Sequence, residues 1–109
     1  MSESNPTIDQ IKKDLSENKM VVYMKGAPEA PQCGFSAAVI QILKTFPYPF
    51  KGINILANPD IRATLPAYSN WPTFPQIFVN GELIGGCDVL HELRDSGELE
   101  QILKSAFSK

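Results

Sequence analysis

The sequence has 109 residues, of which 43% are hydrophobic and 20% are charged, as is usual for a soluble globular protein. This composition excludes disorder as the main state, and the length fits one domain covering residues 1–109. The net charge of -2 lacks the basic excess that favours binding to a phosphate backbone, so nucleic acid is not an expected partner.

Targeting signals and metal-ligand sets are both sparse in this sequence. The longest apolar run, Met20–Met24, is far shorter than the roughly 20 residues that span a bilayer. Residues 1–6 lack the features of a signal or transit peptide, so we predict a cytoplasmic protein without a membrane segment. In that compartment a disulfide between Cys33 and Cys87 is not expected, and these thiols with His91 cannot complete a four-ligand zinc site.

The N-terminal part of the chain alternates between helical and strand patterns. Thr7 and Gln10 have the spacing of a capping box, and apolar residues at helical spacing accompany them, which predicts a first helix. Met20–Met24 is a short, partly β-branched run that predicts a buried strand. Residues 27–32 contain two prolines and predict a loop that leads to Cys33.

A second predicted helix begins directly after Cys33. An amphipathic pattern assigns six residues to its buried face: Phe35, Ala38, Val39, Ile42, Leu43 and Phe46. Cys33 therefore lies at a helix N-terminus. Free N–H groups and the positive end of the helix dipole stabilise a thiolate at such a position.

The next two predicted elements are a strand and a third helix. The strand covers residues 50–56. The helix starts with Asn58 as its N-cap and Pro59 at the first helical position. Pro66 is expected to kink or shorten this helix, because proline removes a main-chain hydrogen bond.

The C-terminal part predicts a β-hairpin and two helices. Asn80–Gly81 is the strongest two-residue hairpin signal and joins strands at residues 76–79 and 82–84. Asp88 can cap the fourth helix, and Gly97 fits the C-cap before the last one. A βαβ unit followed by an antiparallel hairpin predicts an α/β fold, with a mixed four-stranded sheet and helices on both faces.

The central motif, residues 33–36, reads Cys-Gly-Phe-Ser. It has the spacing of a C-x-x-C redox pair, but a serine hydroxyl cannot resolve a mixed disulfide, so Cys33 must use a thiol from elsewhere. The alternative is a buried cysteine that happens to begin a helix. The sequence resembles the monothiol glutaredoxins of the CGFS type, which have the thioredoxin-like fold. The shared motifs lie at residues 24–26 (MKG), 33–36 (CGFS), 60–62 (DIR), 71–75 (WPTFP) and 85–88 (GGCD).

The resemblance implies a binding site for glutathione, which carries two carboxylates, one ammonium and one thiol. Lys25 and Arg62 match family positions that hold the glycyl carboxylate, with a solvated surface charge as the alternative for each. Cys87 and Asp88 lie at a helix start whose N–H groups suit the other carboxylate. The Asp88 carboxylate suits the ammonium, whether or not it also caps the helix.

Three further residues have roles that only the resemblance assigns. Phe74 precedes the superfamily's cis-proline, Pro75, and its backbone pairs with the cysteinyl unit of the bound tripeptide. Cys87 lies beside the glutathione site, with simple apolar packing as an equal alternative. Trp71 forms part of a partner surface or packs under the loop.

The resemblance implies that the protein carries a 2Fe–2S cluster to apo iron–sulfur proteins. Such a cluster needs four thiolates, and Cys33 and one glutathione from each of two chains supply them, which gives a homodimer. A BolA-like protein is a further possible partner. The alternatives are a glutathione-dependent thiol–disulfide oxidoreductase, in which Cys33 is the catalytic thiol, and a thiol-bearing interaction domain.

Overall fold

The computed structural model describes residues 5–108, which form five helices and six strands. Residues 1–4, on which part of the targeting prediction rests, lie outside this range. The helices are α1 Pro6–Glu17, α2 Gly34–Leu43, α3 Pro59–Ser69, α4 Cys87–Ser96 and α5 Glu98–Phe107. The strands are β1 Met20–Met24, β2 Gly26–Ala27, β3 Ala30–Pro31, β4 Lys51–Asn54, β5 Gln76–Val79 and β6 Glu82–Gly85.

Four of the strands form one mixed sheet in the order β4-β1-β5-β6. β1 is parallel to β4, with Val22 opposite Gly52, and antiparallel to β5, with Val22 opposite Ile77. β5 and β6 are antiparallel and are joined through Asn80 and Gly81. Both of these residues have positive φ angles, 53° and 79°, as a type I′ turn requires, so the predicted hairpin is confirmed.

The sheet is covered by helices on both faces, as predicted. Successive side chains of a strand point to opposite faces, so each strand contributes to both cores. Met20, Val22 and Met24 of β1 pack with α2, α4 and α5. Val21 and Tyr23 point to the other face and pack with α1 and α3. Within the described residues, every side chain of β1 is therefore buried, since the strand lies in the middle of the sheet between two cores.

The capping prediction for α1 was wrong. The helix begins at Pro6, and the side-chain oxygen of Asn5 accepts hydrogen bonds from the N–H groups of Thr7 and Ile8 at 2.9 and 3.3 Å. Asparagine is a better N-cap than threonine, and proline at the first position has a φ angle that suits a helix. These two preferences place the start ahead of the Thr7–Gln10 pair.

Two other helix starts also differ in detail from the prediction. Asp88 is not the N-cap of α4; Gly86 has that position, and Asp88 lies in the first turn. Asn58 is the N-cap of α3 as predicted, but its side chain makes no capping bond. Its Nδ2 instead donates to the carbonyl oxygen of Asn54 at 2.8 Å.

The buried face of α2 is shifted from the predicted one. Phe35 is 63% exposed, whereas Ser36 and Ile40, which the apolar pattern omitted, are buried. The helix ends at Leu43, so Phe46 lies beyond it. Phe35 is exposed because it lines a cavity that opens beside this end of the helix.

Pro66 does not shorten α3, which continues to Ser69. The helix ends where Asn70 adopts the left-handed conformation, and the N–H of Trp71 donates to the Pro66 carbonyl oxygen at 3.1 Å. The predicted strand at residues 50–56 is shorter, at Lys51–Asn54, and the predicted loop at 27–32 contains the β2–β3 hairpin.

Candidate functional site

One cavity of about 570 Å³ opens where the C-terminal end of β1 meets the N-termini of α2 and α4. α3 and the loop at residues 71–75 form the remaining walls. The volume is in the range usual for small-molecule sites. All six site residues that the sequence predicted line this cavity: Lys25, Cys33, Arg62, Phe74, Cys87 and Asp88.

Cys33 is the N-cap of α2 and has an extended backbone, with a φ angle of -144°. Its thiol is free and partly exposed. The N–H groups of Ser36 and Phe35 hold the pKa of this thiol below its ordinary value against the opposing effect of partial burial. The charge of Lys25 and the Ser36 hydroxyl lower the pKa further. The Cys33 thiol is thus ionised at lower pH than an ordinary cysteine thiol.

Ser36 is a second part of the site, and its position was not anticipated. The side chain is completely buried, and its Oγ accepts a hydrogen bond from the N–H of Lys25 at 3.1 Å. The hydroxyl therefore joins the end of β1 to the first turn of α2. The sequence indicated only that the Ser36 hydroxyl cannot resolve a disulfide as a thiol would. It did not indicate the hydrogen bond that this hydroxyl accepts.

The segment between Lys25 and Cys33 folds back as the β2–β3 hairpin, which begins at Gly26. This residue has a φ angle of 95°, and a Cβ there would lie 2.5 Å from the Gln32 nitrogen and 2.7 Å from the Ala30 oxygen. The N–H of Gln32 donates to the Lys25 carbonyl oxygen at 2.8 Å. A side chain at position 26 would push β3 away, so glycine allows the hairpin to bring Cys33 back beside Lys25.

The opposite wall is the loop at residues 71–75. The peptide bond between Phe74 and Pro75 is cis, as the resemblance implied. Gln76, at the start of β5, is completely buried, and its Nε2 donates to the carbonyl oxygens of Trp71 at 2.9 Å and Thr73 at 3.2 Å. This buried amide therefore ties the loop to the sheet. In the sequence, the only indication of this role was that Gln76 is a polar residue at the start of an otherwise apolar strand.

Gly86 allows α4 to approach this loop closely. A Cβ at Gly86 would lie 3.2 Å from the Pro75 carbonyl oxygen and 3.4 Å from Nε1 of Trp71. Such contacts are tighter than is usual, so the absence of a side chain lets the helix start pack against the loop.

Cys87 opens α4 and lines the same cavity as Cys33, but its thiol behaves differently. Burial raises the pKa of the Cys87 thiol, and the nearby charges of Asp88 and Cys33 raise it further. At neutral pH Cys33 is therefore the more ionised of the two.

The two predicted cations are available to an anion. Lys25 is half-buried and Arg62 is exposed, and both line the cavity. Within residues 5–108 neither of them forms a salt bridge. The cavity thus combines two unpaired cations and a helix N-terminus with the carboxylate of Asp88, a set that matches a ligand with carboxylates and an ammonium.

The described part of the chain holds no cluster of three or more His, Cys, Asp or Glu side chains that could bind a metal ion. No helix in the described residues is long and apolar enough to cross a membrane.

Comparison with known proteins decides the family. The family model for glutaredoxin matches residues 20–84. The chain belongs to the glutaredoxin family. Glutaredoxin 4 of Pasteurella multocida is 52% identical over 103 residues, which cover 94% of each chain. Glutaredoxin 4 of Escherichia coli K12 is 50% identical over 103 residues, which cover 94% of this chain and 90% of that protein.

Solved glutaredoxin structures have the same fold. Reduced poplar apo GrxS14 is 45% identical, covers 91% of each chain and superposes with a TM-score of 0.82. The holo form of glutaredoxin C1 from Populus tremula x tremuloides is 25% identical, with a TM-score of 0.83 and coverage of 94% of this chain and 99% of that one. The predicted thioredoxin-like fold is thereby confirmed. With Ser36 in place of a second cysteine, this glutaredoxin is of the monothiol type.

Several cavity residues of this glutaredoxin had no predicted role at the site, among them Phe35, Pro66, Thr73 and Val89. Phe35 was assigned to the core by its helical spacing. Pro66 was interpreted only as a helix breaker. Neither periodicity nor local propensity reports which side of a helix faces a ligand, so these signals gave Phe35, Pro66 and Val89 no place at the site.

Proposed function

We propose that this glutaredoxin binds glutathione and, as a dimer, carries a 2Fe–2S cluster to apo iron–sulfur proteins. The observation that supports this most is the Cys33 thiol, which is partly exposed and has a lowered pKa. It lies on the same cavity as two unpaired cations, in a chain whose described residues hold no metal site of their own. Such a thiolate suits a metal site whose ligands come from several molecules better than a site whose ligands all come from one chain.

Glutathione fits the charge arrangement of the cavity. We assign its glycyl carboxylate to Lys25 and Arg62, because a guanidinium and an ammonium together suit one carboxylate. Its γ-glutamyl end carries an ammonium and a carboxylate, which suit the Asp88 side chain and the N–H groups at the start of α4. The backbone of Phe74 would pair with the cysteinyl unit, which leaves the glutathione thiol near Cys33.

The cluster is cargo, and its ligands would come from two chains. Two Cys33 thiolates and two glutathione thiolates give the four sulfur ligands that a 2Fe–2S cluster requires. The glutathione ligands can dissociate, so the cargo would pass readily to an apo-protein. The poplar glutaredoxin C1 has a holo form, which supports the binding of a further group by a fold of this kind. A BolA-like protein is a proposed alternative to the second chain.

Both cysteines of this chain are free, which suits the reducing cytoplasm where we propose that it acts.

Anaerobic reconstitution of single-cysteine variants tests the proposal. The protein is incubated with iron, sulfide and glutathione, and cluster content is read from the visible absorption spectrum. Cys33→Ser is expected to fold, because Cys33 is a partly exposed N-cap without a side-chain capping bond, and to bind no cluster. Cys87→Ser is expected to bind one. A cluster on folded Cys33→Ser, or none on Cys87→Ser, would contradict the ligand assignment.

The lowered pKa of Cys33 also supports a second activity, glutathione-dependent disulfide reduction. The Cys33 thiolate would attack the glutathione sulfur of a protein–glutathione disulfide, and the protein thiolate would leave. A second glutathione thiolate would then attack this sulfur, releasing oxidised glutathione and the Cys33 thiolate. Turnover of a glutathionylated peptide measures this activity. Rapid turnover by a protein that takes up no cluster would make it the main function.

A further inference from the structure

Asn54 lies outside the cavity lining, yet it contacts the segment that carries Lys25. It is the last residue of β4 and lies opposite Met24 in the sheet. Its side-chain Oδ1 accepts hydrogen bonds from the N–H of Gly26 at 3.0 Å and from the N–H of Leu56 at 2.9 Å. Gly26 directly follows Lys25, so this amide fixes the main chain next to the first cation.

The main chain of Asn54 is also linked to the helix that carries Arg62. The Asn54 carbonyl oxygen accepts a hydrogen bond from Nδ2 of Asn58 at 2.8 Å. The carbonyl oxygen of Asn58, the N-cap of α3, accepts one from the N–H of Arg62 at 3.1 Å. Asn58 uses its side chain for this link and not to cap its own helix. Asn54 therefore stands between the two cation-bearing segments.

The separation of these two main-chain segments matters for recognition. Lys25 follows a strand and Arg62 lies in a helix, so no single element holds them together. Both side chains are long and flexible, and the ordering of two such side chains on one carboxylate costs conformational entropy. If the main chain at Lys25 and Arg62 is already held at the spacing that the carboxylate requires, less conformational entropy is lost when the ligand binds.

We propose that Asn54 is a positioning residue that sets the spacing of Lys25 and Arg62, and so makes the site selective for a ligand with a free carboxylate at its glycine end. This inference rests on the proposed glutathione site. Asn54 itself touches no part of the ligand in this proposal. It acts through Gly26 on one side and through Asn58 on the other.

Titration with two ligands that differ only in this carboxylate tests the inference. S-methylglutathione and its glycine ethyl ester are added to the reduced protein, and both affinities are measured by NMR. We expect the wild type to prefer the free acid by about tenfold, because charge-assisted bonds are lost in the ester. Asn54→Ala is expected to lower this preference to about threefold or less, through weaker binding of the acid and unchanged binding of the ester.

Asn18→Ala is the matched control. The Nδ2 of Asn18 also donates to a main-chain oxygen, that of Asp14 at 3.0 Å, but this residue lies outside the cavity lining. A loss of stability alone would affect both ligands alike, so the control is expected to keep the tenfold preference.

The outcomes separate the inference from the proposed function. A wild type that binds acid and ester equally would overturn the carboxylate contacts of Lys25 and Arg62, and the inference with them. A wild type that prefers the acid, with the same preference in folded Asn54→Ala, would overturn the inference alone. If Asn54→Ala does not fold, Asn58→Ala removes the other link, and an unchanged preference in that variant overturns the inference.

Discussion

The buried hydroxyl of Ser36 gives a sharp test of how the fold holds its reactive thiol. Ser36→Ala removes one oxygen from a site that is 0% exposed and leaves the Lys25 N–H, which that oxygen accepts at 3.1 Å, without its partner. An unpartnered donor in such a place costs about 1–3 kcal/mol. We therefore expect the free energy of unfolding to fall by this amount.

Urea unfolding followed by the fluorescence of the single tryptophan, Trp71, measures this loss. The transition midpoint is expected to fall without a change in the denaturant dependence, since the surface exposed on unfolding is nearly the same. Ser16→Ala is the control, because its hydroxyl donates to the Lys13 carbonyl oxygen at an exposed position. It is expected to cost less than about 0.5 kcal/mol.

The same Ser36→Ala variant is expected to raise the pKa of Cys33, because the hydroxyl helps to hold the thiolate. The rise is expected to be small, since the N–H groups of Ser36 and Phe35 remain. Thiolate absorbance against pH, in the Cys87→Ser background, measures it. A Ser36→Ala protein as stable as the Ser16→Ala control, with an unchanged Cys33 pKa, would refute the role given to this hydroxyl.

Three further predictions concern the reactivity and charges of the site. Alkylation of Cys33 in Cys87→Ser is expected to reach half its maximal rate at lower pH than alkylation of an ordinary thiol. Alkylation of Cys87 is expected to reach this midpoint at lower pH in Cys33→Ser than in the wild type, because the Cys33 charge is gone. A midpoint for Cys33 above that for Cys87 would contradict the assigned causes. Arg62→Ala is expected to weaken glutathione binding by about 1–3 kcal/mol in a calorimetric titration, whereas unchanged binding would make Arg62 a surface charge. Ser36→Cys is expected to form a disulfide with Cys33, to gain activity on protein disulfides and to hold a cluster less well in air; no disulfide in the oxidised variant, checked by mass, would contradict it.

The sequence predicted the sheet and the helix order because their signals are local and periodic. Met20–Met24 is an apolar run of strand length, and Asn80–Gly81 can hardly form anything except a tight turn. Asn5 and Thr7 are both possible N-caps of α1, and the helix begins after the stronger one, Asn5. The spacing of Thr7 and Gln10 indicated the weaker one. Helix starts were therefore the least accurate part of the prediction.

The site was predicted in its members but not in its supports. Cys33 and its neighbours carry recognisable motifs, and the structure brings them to one cavity. Phe35 is exposed although the pattern assigned it to the buried face, and Ser36 is buried although the pattern omitted it, because helical periodicity does not show where a cavity interrupts the core. Asn54 accepts a hydrogen bond from the N–H of Gly26, 28 residues away in the sequence, and such a long-range bond has no pattern in one chain. Gln76 bonds to the nearby carbonyl oxygens of Trp71 and Thr73, and hydrophobic periodicity does not report such local side-chain bonds.

The mass of the intact reconstituted complex tests the central claim most directly. Native mass spectrometry of the anaerobically assembled protein measures how many chains, iron and sulfide ions and glutathione molecules are held together. We expect two chains, one 2Fe–2S cluster and two glutathione molecules, and loss of the cluster when glutathione is removed. A stable cluster-bound species without glutathione, with Cys33 and Cys87 as its ligands, would contradict the proposed ligand set.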